Sequence, residues 1–208
     1  DLHSFPTRRS SDLESTKRAH KLHRHTLGTL QSDDALVFEE PNQLYIVSPY
    51  VTKDKRFLFA GSFGLETYEM RFIATAEPLA EFQLVTPREQ GMRYIGDHRD
   101  GLFYIVTNAD GARNNKLVTT PVATPGRAHW QTLIDHRPDV KLDAVELFAH
   151  HMVRYERENG LKTIQIMRFA DGATHAVAFP ESVYTLDDGD NPEFETGVLR
   201  FNYTSLVT

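Results

Sequence analysis

The residues of this chain that could do chemistry fall into a few short groups. His98-Arg99-Asp100 has the order of the protein-kinase catalytic triplet, in which Leu follows and an Asn stands five residues after the Asp. Here Gly101 follows and Ile105 holds the Asn position, so the segment is expected to be a turn. Gly61-Ser62-Phe63-Gly64 approaches a G-x-S-x-G nucleophile elbow, but its second Gly comes too early, and no helix pattern follows. It is expected to be a hairpin loop. His20, His23 and His25 cluster near the start, and His150-His151 form a pair. A transition metal needs three or four converging ligands, and neither H-E-x-x-H nor H-x-x-E-H occurs. On a strand His23 and His25 share a face, which suits surface or channel-facing histidines. Leu186 to Asn191 hints at a calcium loop, yet Gly189 is misplaced for that frame, so a solvated inter-strand loop is expected. Asn202-Tyr203-Thr204 is a glycosylation sequon, which only an exported chain would use. Phosphate loops, dinucleotide fingerprints and zinc pairs are absent. The residues themselves therefore assign no catalytic, cofactor-binding or metal-binding position, and no cofactor is expected.

The elements around these groups read as strands throughout. Alternating or aromatic runs recur: Leu44 to Tyr50, Arg56 to Gly61, Tyr68 to Thr75 and Glu81 to Thr86, then Met92 to His98, Leu102 to Asn108, Lys116 to Val122 and Trp130 to Asp135. A third set holds Asp143 to Ala149, His151 to Glu158, Lys162 to Phe169 and His175 to Phe179. Asp100-Gly101 and Asn159-Gly160 between such runs are strong hairpin signals. No window sustains a helical period. The outermost run of each set ends alike, in LVFEEP, LVTPRE, LIDHRP and AVAFPE. The first residues of these endings, Leu36, Leu84, Leu133 and Ala176, are 48, 49 and 43 residues apart. Four strands per unit at a period of about 40 to 50 residues is the pattern of β-propeller blades, each of which must stack on neighbours to bury both faces. A sandwich, the alternative all-β arrangement, does not call for such similar endings. The expectation is an all-β fold, a partial β-propeller of about three full four-stranded blades with partial blades at both ends. The final strand, Val198 to Thr208, opens a unit that nothing finishes, so the chain reads as a cut fragment.

Composition narrows the partners. A net charge of −6 with pI near 5.9 argues against nucleic acid. Cysteine is absent, which suits a reducing compartment such as the cytoplasm. No apolar run is long enough to span a membrane, and no secretory leader is visible. Residues 1–13 are polar and without strand period. His3 to Leu13, HSFPTRRSSDL, resembles the translation of a common short-read sequencing adapter. Residues 1–13 are thus expected to be non-native or disordered, and 14–208 to be propeller.

Four longer segments carry a family likeness. TNADGARNNKLVTTPV (Thr107 to Val122), LIDHRPDVKLDAVELFAHHMV (Leu133 to Val153), YERENGLKTIQIM (Tyr155 to Met167) and FPESVYTLDDGDNPEFETGVLRFNYTSLVT (Phe179 to Thr208) resemble the oligopeptidase B, or protease II, branch of the prolyl oligopeptidase family. The likeness runs from about His20 to Thr208. It implies a serine endopeptidase in which an N-terminal propeller gates a C-terminal α/β-hydrolase domain of the same polypeptide. That enzyme would cleave short peptides after Arg or Lys. The catalytic Ser, Asp and His of the family lie in the hydrolase domain, so none maps onto this chain. Another peptidase branch, such as an acylaminoacyl or dipeptidyl peptidase, and a stand-alone propeller scaffold are the alternatives.

Overall fold

The structure is a computed structural model that describes residues 7–10 and 18–206. Among the described residues, five antiparallel sheets follow one another along the chain. The first holds β1 (Thr7–Ser10), β2 (Lys21–Arg24) and β3 (Ala35–Glu39). The second is a four-stranded meander of β4 (Ile46–Val51), β5 (Phe57–Phe63), β6 (Tyr68–Ala74) and β7 (Gln83–Leu84). The third repeats it with β8 (Tyr94–Arg99), β9 (Leu102–Thr107), β10 (Lys116–Pro121) and β11 (Gln131–Ile134). The fourth does so again with β12 (Val140–Leu147), β13 (His151–Glu158), β14 (Leu161–Arg168) and β15 (Thr174–Ala176). The fifth is the pair β16 (Tyr184–Asp188) and β17 (Phe201–Ser205). Only short 3-10 turns interrupt the strands among the described residues.

Local chemistry explains the hairpins. In the β8–β9 turn Asp100 and Gly101 have φ of 49° and 75°, and in the β13–β14 turn Asn159 and Gly160 have 50° and 82°. Two successive positive φ values match the right-handed twist of the flanking strands, and Asn, Asp and Gly tolerate them best.

The chain divides into two compact units, residues 1–93 and 94–208. In the first unit the first and second sheets meet through buried Leu22, Val47 and Ala60, with Val37, Phe38 and Phe82 against them. In the second unit Tyr104 and Leu117 of the third sheet pack on Leu142, Leu147 and Met152 of the fourth. The fourth sheet in turn packs on the fifth, where Val153, Tyr155 and Ile164 surround Leu186. Phe179 and Tyr203 stack beside them with centroids 5.2 Å apart. Each fully buried side chain of this size contributes about 1.5–3 kcal/mol. Most of that stabilisation sits between sheets, which is the reason a single sheet of this kind needs its neighbour.

Two sequence expectations change. Strand β5 runs on through Gly61 to Phe63, and Ser62 is fully buried, so the hairpin loop expected at 61–64 is displaced. The turn instead begins at Gly64, whose amide donates to the Thr67 carbonyl at 3.0 Å. Gly61 does not end the strand, because it is paired with Ser48 on β4 and Met70 on β6; the Phe63 ring lies 2.2 Å from where a Gly61 Cβ would stand. Strand β17 is shorter than the run Val198 to Thr208, beginning only at Phe201. Within residues 1–13, Thr7–Ser10 pair with β2 despite their lack of a strand period. The rest of that segment lies outside the described residues. Such pairing is indifferent to origin, because any extended backbone can satisfy an open sheet edge.

Candidate functional site

The structure separates the groups singled out in the sequence. His98-Arg99-Asp100 is a hairpin end, as expected. Buried His98 accepts the Gly101 amide on Nε2 at 3.1 Å. Arg99 donates through Nε and Nη2 to the Ala149 carbonyl at 3.0 and 2.9 Å, and its guanidinium lies 3.8 Å from the centroid of the Phe169 ring. Ala149 donates to the Phe194 carbonyl, so this turn fixes the β12–β13 turn, which fixes the loop before β17. The histidines do not converge. His25 pairs with Asp34 at 2.6 Å, His20 lies 3.9 Å from Glu39, and His151 stacks on Phe148 at 4.4 Å. No group of three His, Asp or Glu able to hold a metal occurs among the described residues.

The acidic loop after β16 is less solvated than expected. Asn191 is buried, and its Nδ2 donates to the Gly189 and Arg200 carbonyls at 3.2 and 3.0 Å. Its Oδ1 accepts the Arg200 amide at 2.7 Å. A Cβ on Gly189 would meet the Arg200 carbonyl oxygen at 2.3 Å, so only Gly lets the two backbones close the loop. The flanking Asp188 and Asp190 remain exposed.

The polar groups that do come together lie between sheets, and they recur. Glu40 follows β3, the last strand of the first sheet, and its carboxylate accepts from Arg88 Nη2 at 2.6 Å and from the Asn42 amide at 3.0 Å. Arg88 also reaches Glu69 at 3.5 Å and covers the Tyr45 ring at 3.7 Å, while Arg71 pairs with Glu69 at 2.6 Å. Burial pushes the Glu40 carboxyl up, but Arg88, Ser62 and the Asn42 amide outweigh it and hold the pKa below the usual carboxylate value. Arg137 follows the last strand of the third sheet and pairs with buried Glu156 on β13, which Arg154 approaches at 3.4 Å. Glu181 follows the last strand of the fourth sheet and accepts from the Tyr203 hydroxyl on β17.

The receiving positions are equivalent. Glu156 and Tyr203 stand on the second strand of their sheets, opposite Leu142 and Leu186. Those opposing residues are buried. Past the third and fourth sheets, Arg137 and Glu181 thus engage this polar position on the next sheet. This repeated clasp can position blades, and it holds no nucleophile beside a base. Glu40, Arg88, Arg137 and Glu181 all lie within the similar strand endings LVFEEP, LVTPRE, LIDHRP and AVAFPE, whose spacing is legible in the sequence but whose contacts are not.

Comparison with known proteins gives this arrangement its place. The model of the prolyl oligopeptidase N-terminal β-propeller domain matches residues 3–208. The chain belongs to that family. Its sheets are accordingly blades of a partial β-propeller: three of four strands, preceded by one of three and followed by one of two. Dipeptidyl aminopeptidase BI of Pseudoxanthomonas mexicana is 37% identical over 184 residues, which cover 88% of this chain and 25% of that protein. Oligopeptidase B of Leishmania major superposes with a TM-score of 0.87 at 30% identity, covering 94% of this chain and 29% of that one. Oligopeptidase B of Trypanosoma brucei, in a closed form with covalently bound antipain, gives the same TM-score at 27% identity and the same coverage. The chain thus spans a quarter to under a third of the length of these relatives.

Proposed function

We propose that residues 14–208 form part of the gating propeller of an oligopeptidase B-like serine endopeptidase that cleaves short peptides after Arg or Lys. The observation that carries this reading is the match of nearly the whole chain to the oligopeptidase B propellers. The catalytic residues belong to a C-terminal α/β-hydrolase domain of the same polypeptide, which is the propeller's principal partner. The propeller admits flexible peptides, keeps folded proteins out and limits water at the covered site. The closed form of the trypanosomal relative supports a lid of this kind. Absence of cysteine favours the cytoplasm as its place of work. On the same reading residues 1–13 are foreign to the domain.

A dipeptidyl aminopeptidase is the second reading, favoured by the 37% identical relative. Both are tested by assaying the complete polypeptide on Arg, Lys and Pro peptides with blocked and with free N-termini. Cleavage of blocked peptides after Arg or Lys is expected. A requirement for a free N-terminus with release of dipeptides selects the second reading, and preference for Pro defeats both.

A further inference from the structure

The turn dipeptides of the chain differ in one chemical respect that their backbone shapes conceal. An Asx-Gly pair can cyclise when the backbone nitrogen of Gly attacks the side-chain carbonyl carbon of the residue before it. The reaction needs an open approach, a nitrogen not engaged in a hydrogen bond and a side chain able to turn. Asp100-Gly101, Asp110-Gly111, Asp171-Gly172 and Asp188-Gly189 are each restrained. Gly101 donates its amide to His98 and Asp100 pairs with Arg99 at 2.8 Å. Asp110 is held by Lys116 at 2.7 Å and Arg127 at 2.6 Å. Gly172 donates to the Arg168 carbonyl at 2.9 Å, and Asp171 takes two bonds from the Arg168 guanidinium at 2.9 and 2.6 Å. Gly189 is pressed against the Arg200 backbone.

Asn159-Gly160 stands apart. It is the one Asn-Gly pair in the sequence. Both residues are exposed at the β13–β14 tip, and, as at Gly101, Gly111 and Gly172, nothing lies within 4 Å of where a Gly160 Cβ would be. Asn114, Asn115 and Asn191 use their side-chain amides in hydrogen bonds, whereas that of Asn159 makes none with the described residues. A carboxamide is also a better electrophile than the ionised carboxylates at the other four sites.

We infer that Asn159 is a site of spontaneous deamidation in the folded chain, unrestrained where ion pairs, hydrogen bonds or backbone contacts hold its four Asp-Gly counterparts. The Gly160 nitrogen forms a bond to Asn159 Cγ, the side-chain nitrogen leaves as ammonia, and a succinimide results. Water then opens either carbonyl, giving aspartate or isoaspartate, so that asparagine and water become the acid and ammonia with no oxidant or reductant. Isoaspartate places an extra methylene in the two-residue loop that sets Glu158 against Leu161. The register of a hairpin depends on that loop. The same ladder positions Glu156, the residue that Arg137 engages. Ageing at the tip therefore bears on the clasp between the third and fourth sheets.

The test incubates the 208-residue chain at mildly alkaline pH, once native and once in urea. Peptide mapping by mass spectrometry then reads the exchange of amide for acid, and isoaspartyl methyltransferase labelling reads the isomer. Residue 159 is expected to convert in the native chain within about tenfold of its rate in urea, while native Asp100, Asp110, Asp171 and Asp188 are slowed by more than that factor. An Asn159→Gln chain is expected to lose the signal from that peptide. Native protection of residue 159 by more than about tenfold overturns the inference, and so do Asp-Gly sites as reactive in the native chain as in urea.

Discussion

Replacing Arg88 by Met tests whether the clasp between the first and second sheets stabilises the fold by charge or by bulk. The guanidinium is the shared partner of Glu40, whose side chain is 4% exposed, and of Glu69, whose side chain is 11% exposed. Removing one member of a buried pair costs about 3–5 kcal/mol, chiefly through the charge left behind. Two features place this site at the lower end. The Arg88 side chain keeps 24% exposure, and Arg71 still neutralises Glu69 at 2.6 Å. The expected loss for Arg88→Met is about 3 kcal/mol. A Glu40→Leu/Arg88→Met chain removes both charges, and it should recover about 1.5 kcal/mol or more relative to the sum of the single changes. Equilibrium urea unfolding followed by far-UV circular dichroism gives all four corners of the cycle. A single-mutant loss under about 1 kcal/mol, or additivity within about 0.5 kcal/mol, refutes the reasoning.

Other outcomes follow from the same geometry. Because the folded Glu40 carboxyl is held below its usual value near 4.5, its contribution is complete above that pH and is lost as pH falls through the lower folded pKa. The stability difference between the parent chain and Glu40→Gln should therefore be flat from pH 6 to 8, about neutrality, and shrink only in acid, as urea midpoints across pH will show. Gly189→Ala drives a methyl group into the Arg200 backbone, so a loss of about 2 kcal/mol or more in the same unfolding assay is expected. Arg99→Lys keeps the charge but loses the planar fork on the Ala149 carbonyl and the stacking on Phe169. It should cost about 1–2 kcal/mol and raise hydrogen exchange at the Ala149 amide, whose partner is the Phe194 carbonyl.

Legibility in the sequence follows the range of the interactions. Asp100-Gly101 and Asn159-Gly160 could be read because a two-residue turn with positive φ values is a local demand. The four-strand period was visible because alternating runs and Pro-stopped endings repeat along the chain. Gly61 misled, since a Gly beside Ser suggests a turn, and only its pairing with Ser48 and Met70 on the two neighbouring strands shows why the strand continues. Gly189 misled in the opposite direction. In an acidic run it looks like part of a solvated loop, whereas its need for Gly arises from a backbone eleven residues away. The clasps were hidden for the same reason. Glu40 and Arg88 are 48 residues apart, and nothing near either residue announces the other. The charge of Glu156, buried in mid-strand, is explained only once Arg137 is placed beside it.

The claim that this propeller admits peptides and turns away folded proteins has a direct measurement. The complete polypeptide is given one Arg-containing sequence in two forms, as a short N-terminally blocked peptide and as a surface loop of a stably folded protein. Cleavage after Arg in the peptide with the folded protein left intact is the expected result. Equal cleavage of both, or no cleavage of the blocked peptide, contradicts it.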